Sequence, residues 1–145
     1  MSRILNVISH SESETVGLAE KLAAFFKTGD VIVLTGDLGT GKTVFVRGLA
    51  KGMGHDEDLI NSPSFTIINE YQGEKPLYHF DLYRMCDQHE LYEIGWDEYL
   101  NRGGLIVVEW GEKAKNYLPS KYYQINFKLL NENEREIDIS LESNE

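Results

Sequence analysis

Val31-Ile32-Val33-Leu34-Thr35-Gly36-Asp37-Leu38-Gly39-Thr40-Gly41-Lys42-Thr43 is the stretch that decides how this chain folds. Its last eight residues match the phosphate-binding pattern G-x-x-x-x-G-K-[ST] at every fixed position. Val31 to Leu34 is a short apolar run suited to a buried strand, and Val44 to Met53 continues with helical spacing. A strand therefore feeds the loop and a helix leaves it, the context in which the pattern carries meaning. Gly36, Gly39 and Gly41 allow successive N–H groups to turn inward around phosphate oxygens at the positive end of that helix. Lys42 is placed to reach the β- and γ-phosphates of a nucleoside triphosphate, and the Thr43 hydroxyl to hold Mg²⁺. A glycine-rich turn before an ordinary helix would keep the glycines, but it has no use for Lys42 and Thr43 in that order.

Across the whole chain, 145 residues make one domain with a single core and leave no room for a second substrate domain. No apolar run approaches the roughly 20 residues that span a bilayer, and Met1 to Ser9 has no secretion-signal pattern. The expected location is the cytoplasm, with no membrane association. The single Cys86 cannot form an intramolecular disulfide. With 14 Lys+Arg against 24 Asp+Glu, the formal charge of -10 repels a polyanion and argues against a broad nucleic-acid-binding face. Any RNA involved is expected to be held by another protein.

Ser11 followed by Glu14 forms a capping signal, and Thr15, Leu18, Ala19, Leu22, Ala23 and Phe26 then fall on one face of a helix predicted to reach about Lys27. Gly52 and Gly54 stop the helix after the phosphate loop. Phe65 to Tyr71 and Leu77 to Phe80 read as an antiparallel hairpin around Gln72 to Pro76. Asp87 with Glu90 repeats the capping signal for a helix that Gly95 interrupts. Leu105 to Val108 is the most apolar strand, and the alternation at Tyr123, Ile125, Phe127 and Leu129, then at Ile137, Ile139 and Leu141, predicts a closing hairpin. The expected architecture is a single three-layer α/β domain of the P-loop NTPase type, its sheet mostly parallel with antiparallel additions from both hairpins.

A phosphate loop needs an acid at the end of a neighbouring buried strand, because Mg²⁺ takes oxygen ligands and the strands' C-terminal edge faces the nucleotide. Asp81 and Glu109 both qualify, and either can bind the metal directly, bind it through water, or orient the attacking water. The competing reading for each is a surface acid at a strand end. Arg84 follows Asp81 closely enough to form an ion pair with it or to approach the γ-phosphate. The hydroxyls of Ser62, Ser64 and Thr66 lie where P-loop switch proteins carry a γ-phosphate sensor, with a capped strand entry as the alternative. Trp110 is suited to stacking on the base or on a partner, or to packing at a strand end. His79 inside an apolar strand reads as a core histidine, and His10, His55 and His89 take no role.

Gly36 to Thr43, Ser62-Pro63-Ser64-Phe65-Thr66, Tyr78-His79-Phe80-Asp81-Leu82-Tyr83-Arg84 and Val108-Glu109-Trp110-Gly111-Glu112-Lys113 together resemble the bacterial TsaE family, also called YjeE. The resemblance runs from Ser11 to about Pro119, and the His-Phe-Asp-Leu-Tyr-Arg run is far more specific than the phosphate loop. It implies an ATPase subunit of the machinery that installs threonylcarbamoyl on the adenosine beside the anticodon of tRNAs reading codons that begin with A. TsaB and TsaD are the implied partners, TsaD carrying out the transfer, with tRNA met only through them. Carried over by position, the resemblance implies Lys42 on the phosphates within a nucleotide-binding set of Gly36, Gly39, Thr40, Gly41, Lys42 and Thr43, with Thr43 and Glu109 on Mg²⁺ and Asp81 in the metal or catalytic shell. It further implies Ser64 and Thr66 in the switch loop, Trp110 near the nucleotide, and Ser11 touching the nucleotide from its helix cap. The family usually has Thr where this chain has Ser64. Adenine follows from the family and from the lack of an Asn-Lys-x-Asp guanine-reading run.

Two other functions use the same loop. A small-molecule kinase needs a cationic lid over two phosphorylated substrates, whereas the arginines here are Arg3, Arg47, Arg84, Arg102 and Arg135, with no insertion to carry a lid. The other is a non-hydrolysing scaffold whose bound ATP stabilises one shape for a partner, a reading that Asp81 and Glu109 argue mildly against.

Overall fold

In the computed structural model, which describes residues 2–37, 39–60 and 67–143, seven strands form one mixed sheet. They are β1 (Ser2–Ser9), β2 (Val31–Thr35), β3 (Ile68–Tyr71), β4 (Leu77–Asp81), β5 (Leu105–Glu109), β6 (Lys121–Leu129) and β7 (Arg135–Ser143), in the spatial order β1-β7-β6-β2-β5-β4-β3. The central strands β6, β2, β5 and β4 run parallel. The outer pairs β1/β7, β7/β6 and β3/β4 are antiparallel. The expected α/β architecture is thus present, parallel where both faces are covered and antiparallel towards both edges.

The continuous apolar runs become fully buried strands, Val31 to Leu34 in β2 and Leu105 to Val108 in β5, and Leu77 to Phe80 of β4 is buried as deeply. Alternation along each strand divides the core into two layers. On one face Ile32, Leu34, Leu77, Val107, Ile125 and Ile137 pack under α1 (Glu12–Leu22) and α2 (Lys42–Gly52). On the other, Val31, Val33, Phe80 and Val108 pack against α3 (His89–Glu93), α4 (Trp96–Asn101) and the 3₁₀ segment Gly111–Tyr117, through Leu91, Trp96, Tyr99 and Ala114. Three layers result.

α1 and α2 approach closely because Gly48 and Gly52 of α2 face Ala19 and Ala23. A methyl group at Gly48 would lie 2.7 Å from the Ala19 Cβ, and one at Gly52 would lie 2.6 Å from the Ala23 Cβ. Small residues four apart on both sides let the backbones meet, which fixes α2, and with it the phosphate loop, against the sheet.

Several local expectations are met and some are corrected. Ser11 caps α1, accepting from the Glu14 N–H at 3.1 Å, but the helix ends at Leu22 rather than near Lys27, in a turn over residues 23–25. The apolar face nevertheless persists: Ala23 and Phe26 are buried beyond the helix end. The Asp87/Glu90 signal works in part, the Glu90 carboxylate accepting from the Asp87 N–H at 3.1 Å just ahead of α3. β1 adds a strand that the sequence pattern does not announce, because its exposed alternation is weak and it borrows its order from pairing with β7. β3 begins at Ile68, and residues 65–66 of the predicted strand lie outside the described residues.

Candidate nucleotide site

All four central strands point their C-terminal ends the same way, so the residues that close β2, β4 and β5 gather at one edge with the phosphate loop. β7 runs the opposite way and therefore brings its first residue, Arg135, to that same edge. Between them lies a cleft of about 390 Å³, of the size that holds a small ligand. Gly39, Gly41, Lys42 and Thr43 form one wall, Asp81, Tyr83, Glu109 and Trp110 the facing wall, and Glu12 and Arg135 complete it.

The loop wall is held by its own short contacts. The Thr40 hydroxyl, buried, donates to the Asp37 carbonyl at 2.6 Å. Gly41 caps α2 with φ at 100°, a backbone region that disfavours other residues and that aims the first N–H groups of the helix into the cleft. The Lys42 ammonium donates to the Gly36 carbonyl at 2.6 Å and stands 3.7 Å from Glu109 Oε1. Its side chain is only 8% exposed, so this cation is held ready rather than hydrated.

Glu109 is the best-fixed acid of the site. It ends β5 and is buried, and its Oε2 lies 2.7 Å from His79 Nε2. An ionised carboxylate only accepts, so the Nε2 of His79 carries the proton and donates. Burial alone would raise the Glu109 carboxyl. The His79 hydrogen bond and the attraction of His79 and Lys42 outweigh it and hold the carboxyl below its ordinary range.

Asp81 has the opposite balance. Half-buried at the end of β4, directly opposite Glu109 in the ladder, it is pushed above the usual aspartate value by burial, with the Glu109 charge adding to the rise. The Tyr83 N–H, donating to Asp81 Oδ1 at 3.1 Å, opposes the rise only in part. Arg84, expected beside Asp81, is exposed and forms no ion pair among the described residues. The positive influences that reach Asp81 are His79 first and then Lys42, from across the cleft.

Trp110 takes a left-handed backbone conformation with φ at 62°, the one non-glycine to do so among the described residues. That conformation costs about 1–2 kcal/mol. It aims the indole back over the loop, 5.8 Å from Lys42 Nζ and 5.0 Å from the Tyr83 ring. Ser11 uses its hydroxyl for the helix cap, and the neighbouring Glu12 lines the cleft instead. Ser64 and Thr66, the expected γ-phosphate sensors, lie outside the described residues.

The donor set suits magnesium bound alongside phosphate. Among the described residues, no three His, Cys, Asp or Glu side chains converge as a metal cage. Mg²⁺ characteristically takes one or two carboxylates and completes its shell with water and phosphate oxygens, and Glu109, Asp81 and Thr43, which line one cleft, could supply such ligands.

His79 and Arg135 are site residues that the motifs gave no role, as are Glu12 and Tyr83 in the cleft wall. Period-two alternation carried a signal for the first two: His79 shares a strand face with Asp81, and Arg135 shares one with Ile137 and Ile139, so each points inward.

The family described as threonylcarbamoyl adenosine biosynthesis protein TsaE matches residues 9–137. A Bacillus subtilis protein named tRNA threonylcarbamoyladenosine biosynthesis protein TsaE is 46% identical over 132 residues, covering 90% of this chain and 82% of that protein. A Treponema pallidum protein of the same name is 36% identical over 136 residues, covering 94% of this chain and 100% of its own length. The crystal structure of Bacillus subtilis YdiB superposes with a TM-score of 0.79 at 40% identity, over 99% of this chain and 88% of that one. With a phosphate loop, two strand-end acids and a family match across most of its length, the chain belongs to the TsaE family of threonylcarbamoyl adenosine biosynthesis proteins.

Proposed function

We propose that this chain is a Mg²⁺-dependent ATP hydrolase, slow on its own, that serves threonylcarbamoyl modification of the adenosine next to the anticodon in tRNAs reading A-starting codons. The observation that carries the hydrolase reading is the juxtaposition of Lys42, Glu109 and Asp81 at one strand edge, with Glu109 fixed by His79. Family membership carries the pathway.

In this reading the Gly36 to Thr43 loop cradles the phosphates, and Lys42 leaves the Gly36 carbonyl to neutralise charge on the β- and γ-oxygens. Glu109 and the Thr43 hydroxyl would hold Mg²⁺, which supplies charge stabilisation at the leaving phosphate. Asp81, the more basic of the two acids, orients the attacking water and accepts its proton. Trp110 and Tyr83 cover the γ-phosphate end and exclude bulk water there. A 145-residue domain without an inserted lid leaves the rest of the cleft open, which keeps turnover slow until a partner completes it.

TsaB and TsaD are the partners that the family resemblance implies. ATP binding and hydrolysis regulate or reset their complex through shape, since the net charge of -10 disfavours direct contact with tRNA. The setting is the cytoplasm. A multi-turnover tRNA modification assay tests the whole reading: full activity of TsaB and TsaD without this chain, or with its Lys42→Ala form, would overturn it. Product analysis separates hydrolysis, which yields ADP and phosphate, from a kinase, which yields a phosphorylated acceptor, and from a scaffold, which leaves ATP unchanged.

A further inference from the structure

Lys113 directs its charge at a backbone turn rather than at an acid. It sits on the 3₁₀ segment Gly111–Tyr117, and its Nζ donates to the Tyr83 carbonyl and, at 3.2 Å, to the Met85 carbonyl. The same ammonium lies 5.7 Å from the centre of the Tyr83 ring. The chain carries 24 Asp and Glu, yet no carboxylate pairs with Lys113 among the described residues. A lysine ammonium has three donors, and two of them go here to carbonyls of one turn, an arrangement that fixes the turn.

The turn is residues 82–85, just beyond β4. Leu82 and Met85 are buried and hold it from beneath, the Leu82 N–H donating to the Glu109 carbonyl at 3.1 Å and the Met85 N–H to the Leu82 carbonyl at 3.0 Å. Tyr83, by contrast, is 60% exposed and forms part of the cleft wall. Its ring stands 5.0 Å from that of Trp110, and its N–H donates to Asp81 Oδ1 at 3.1 Å. Trp110 and Lys113 lie one turn apart, the Lys113 N–H donating to the Trp110 carbonyl at 3.1 Å. Tyr83 is therefore gripped by neighbouring residues of one segment, Trp110 at its ring and Lys113 at its ring and carbonyl. Without such a grip an exposed aromatic side chain samples several rotamers.

We propose that Lys113 is a positioning residue for ATP hydrolysis: it latches the turn 82–85 to the segment after β5, holding Tyr83 against Trp110 over the cleft and Asp81 in its hydrogen-bonded orientation. This rests on the ATP-site reading above and adds a residue to it. Lys113 does not line the cleft, so it acts through Tyr83 rather than on nucleotide. Its loss leaves the phosphate loop and Lys42 in place and slows the chemical step, because the cover and Asp81 leave their productive positions.

Acrylamide quenching, and steady-state phosphate release from ATP with partners present, test the assignment on Lys113→Met and Lys113→Arg, each checked by its melting temperature. Trp96 is only 1% exposed, so the quencher reads Trp110. Lys113→Met keeps an unbranched apolar chain and loses the donors. It should raise the quenching of Trp110 and lower kcat about tenfold, with KM for ATP kept within about twofold. Lys113→Arg, which restores a charged donor, should recover both. If Lys113→Met fails to fold, Lys113→Gln, an uncharged donor, takes its place with a smaller loss in the same direction. Unchanged quenching, an unchanged kcat, or a loss confined to KM in the folded variant would overturn the proposal while leaving the phosphate-loop reading intact. A wild-type chain that releases no phosphate from ATP would sink both.

Discussion

His79 Nε2 lies 2.7 Å from Glu109 Oε2, joining the interior of β4 to the last residue of β5 beneath the phosphate loop. This contact turns a strand-end acid into a fixed one: the carboxylate cannot rotate freely, and its second oxygen is left facing Lys42. The pair is buried, so losing one member leaves the other unsatisfied.

His79→Leu keeps most of the volume and removes the donor. It should destabilise the fold by about 1–3 kcal/mol at neutral pH, the cost of leaving a buried carboxylate without its hydrogen bond. Glu109 is held below its ordinary value in the folded chain, so its contribution is present above the unfolded carboxylate value and fades as pH falls through the folded one. The gap between wild type and variant should narrow in acid. Denaturant melts at pH 7 and pH 4 check this, and a gap that widens in acid would refute it.

Lys42→Ala should weaken triphosphate binding by about 1.5–3 kcal/mol, one charge-assisted interaction, while circular dichroism shows the fold retained. Isothermal titration with Mg-ATP measures it. Unchanged affinity in the folded variant would remove the loop from the nucleotide site.

Glu109→Gln and Asp81→Asn should lower ATP hydrolysis more than ATP binding, since in the proposed reading both acids act on the metal and the attacking water rather than on the bulk of the nucleotide. Their pH behaviour should differ as well. Asp81 is raised, so a wild-type rate that needs it ionised should fall on mild acidification before Glu109 protonates, and Asp81→Asn should lose that limb of the profile. Steady-state phosphate release across pH 4 to 8, with partners present, decides between them.

Trp110 and the fully buried Trp96 are the two tryptophans of the chain. Because Trp110 sits over Lys42, nucleotide binding should change its emission while Trp96 stays constant. Trp110→Phe should abolish the change. Fluorescence titration that still responds in Trp110→Phe would place the reporter elsewhere.

Much of the site is legible in the sequence because its residues sit at ends of strongly patterned elements. Gly36 to Thr43 declares itself by spacing, and Asp81 and Glu109 by closing the two apolar strands whose ends adjoin the loop. Arg84 misleads because nearness in sequence is not nearness in space: beyond β4 the chain turns and carries it outward, whereas Lys42 reaches Asp81 from another element.

The amino-acid order on its own determined the phosphate loop, the buried parallel strands and the helix caps, since each depends on residues within one turn or one strand of each other. Short-range sterics, hydrogen bonding and periodic burial act at that distance. Which side chains meet across the sheet was settled only by strand order and register. β7 had to run antiparallel beside β6 before Arg135 arrived at Gly41, and β4 had to lie against β5 before His79 reached Glu109. Those contacts join residues 94 and 30 positions apart, and a linear pattern carries no record of which strand will be the neighbour.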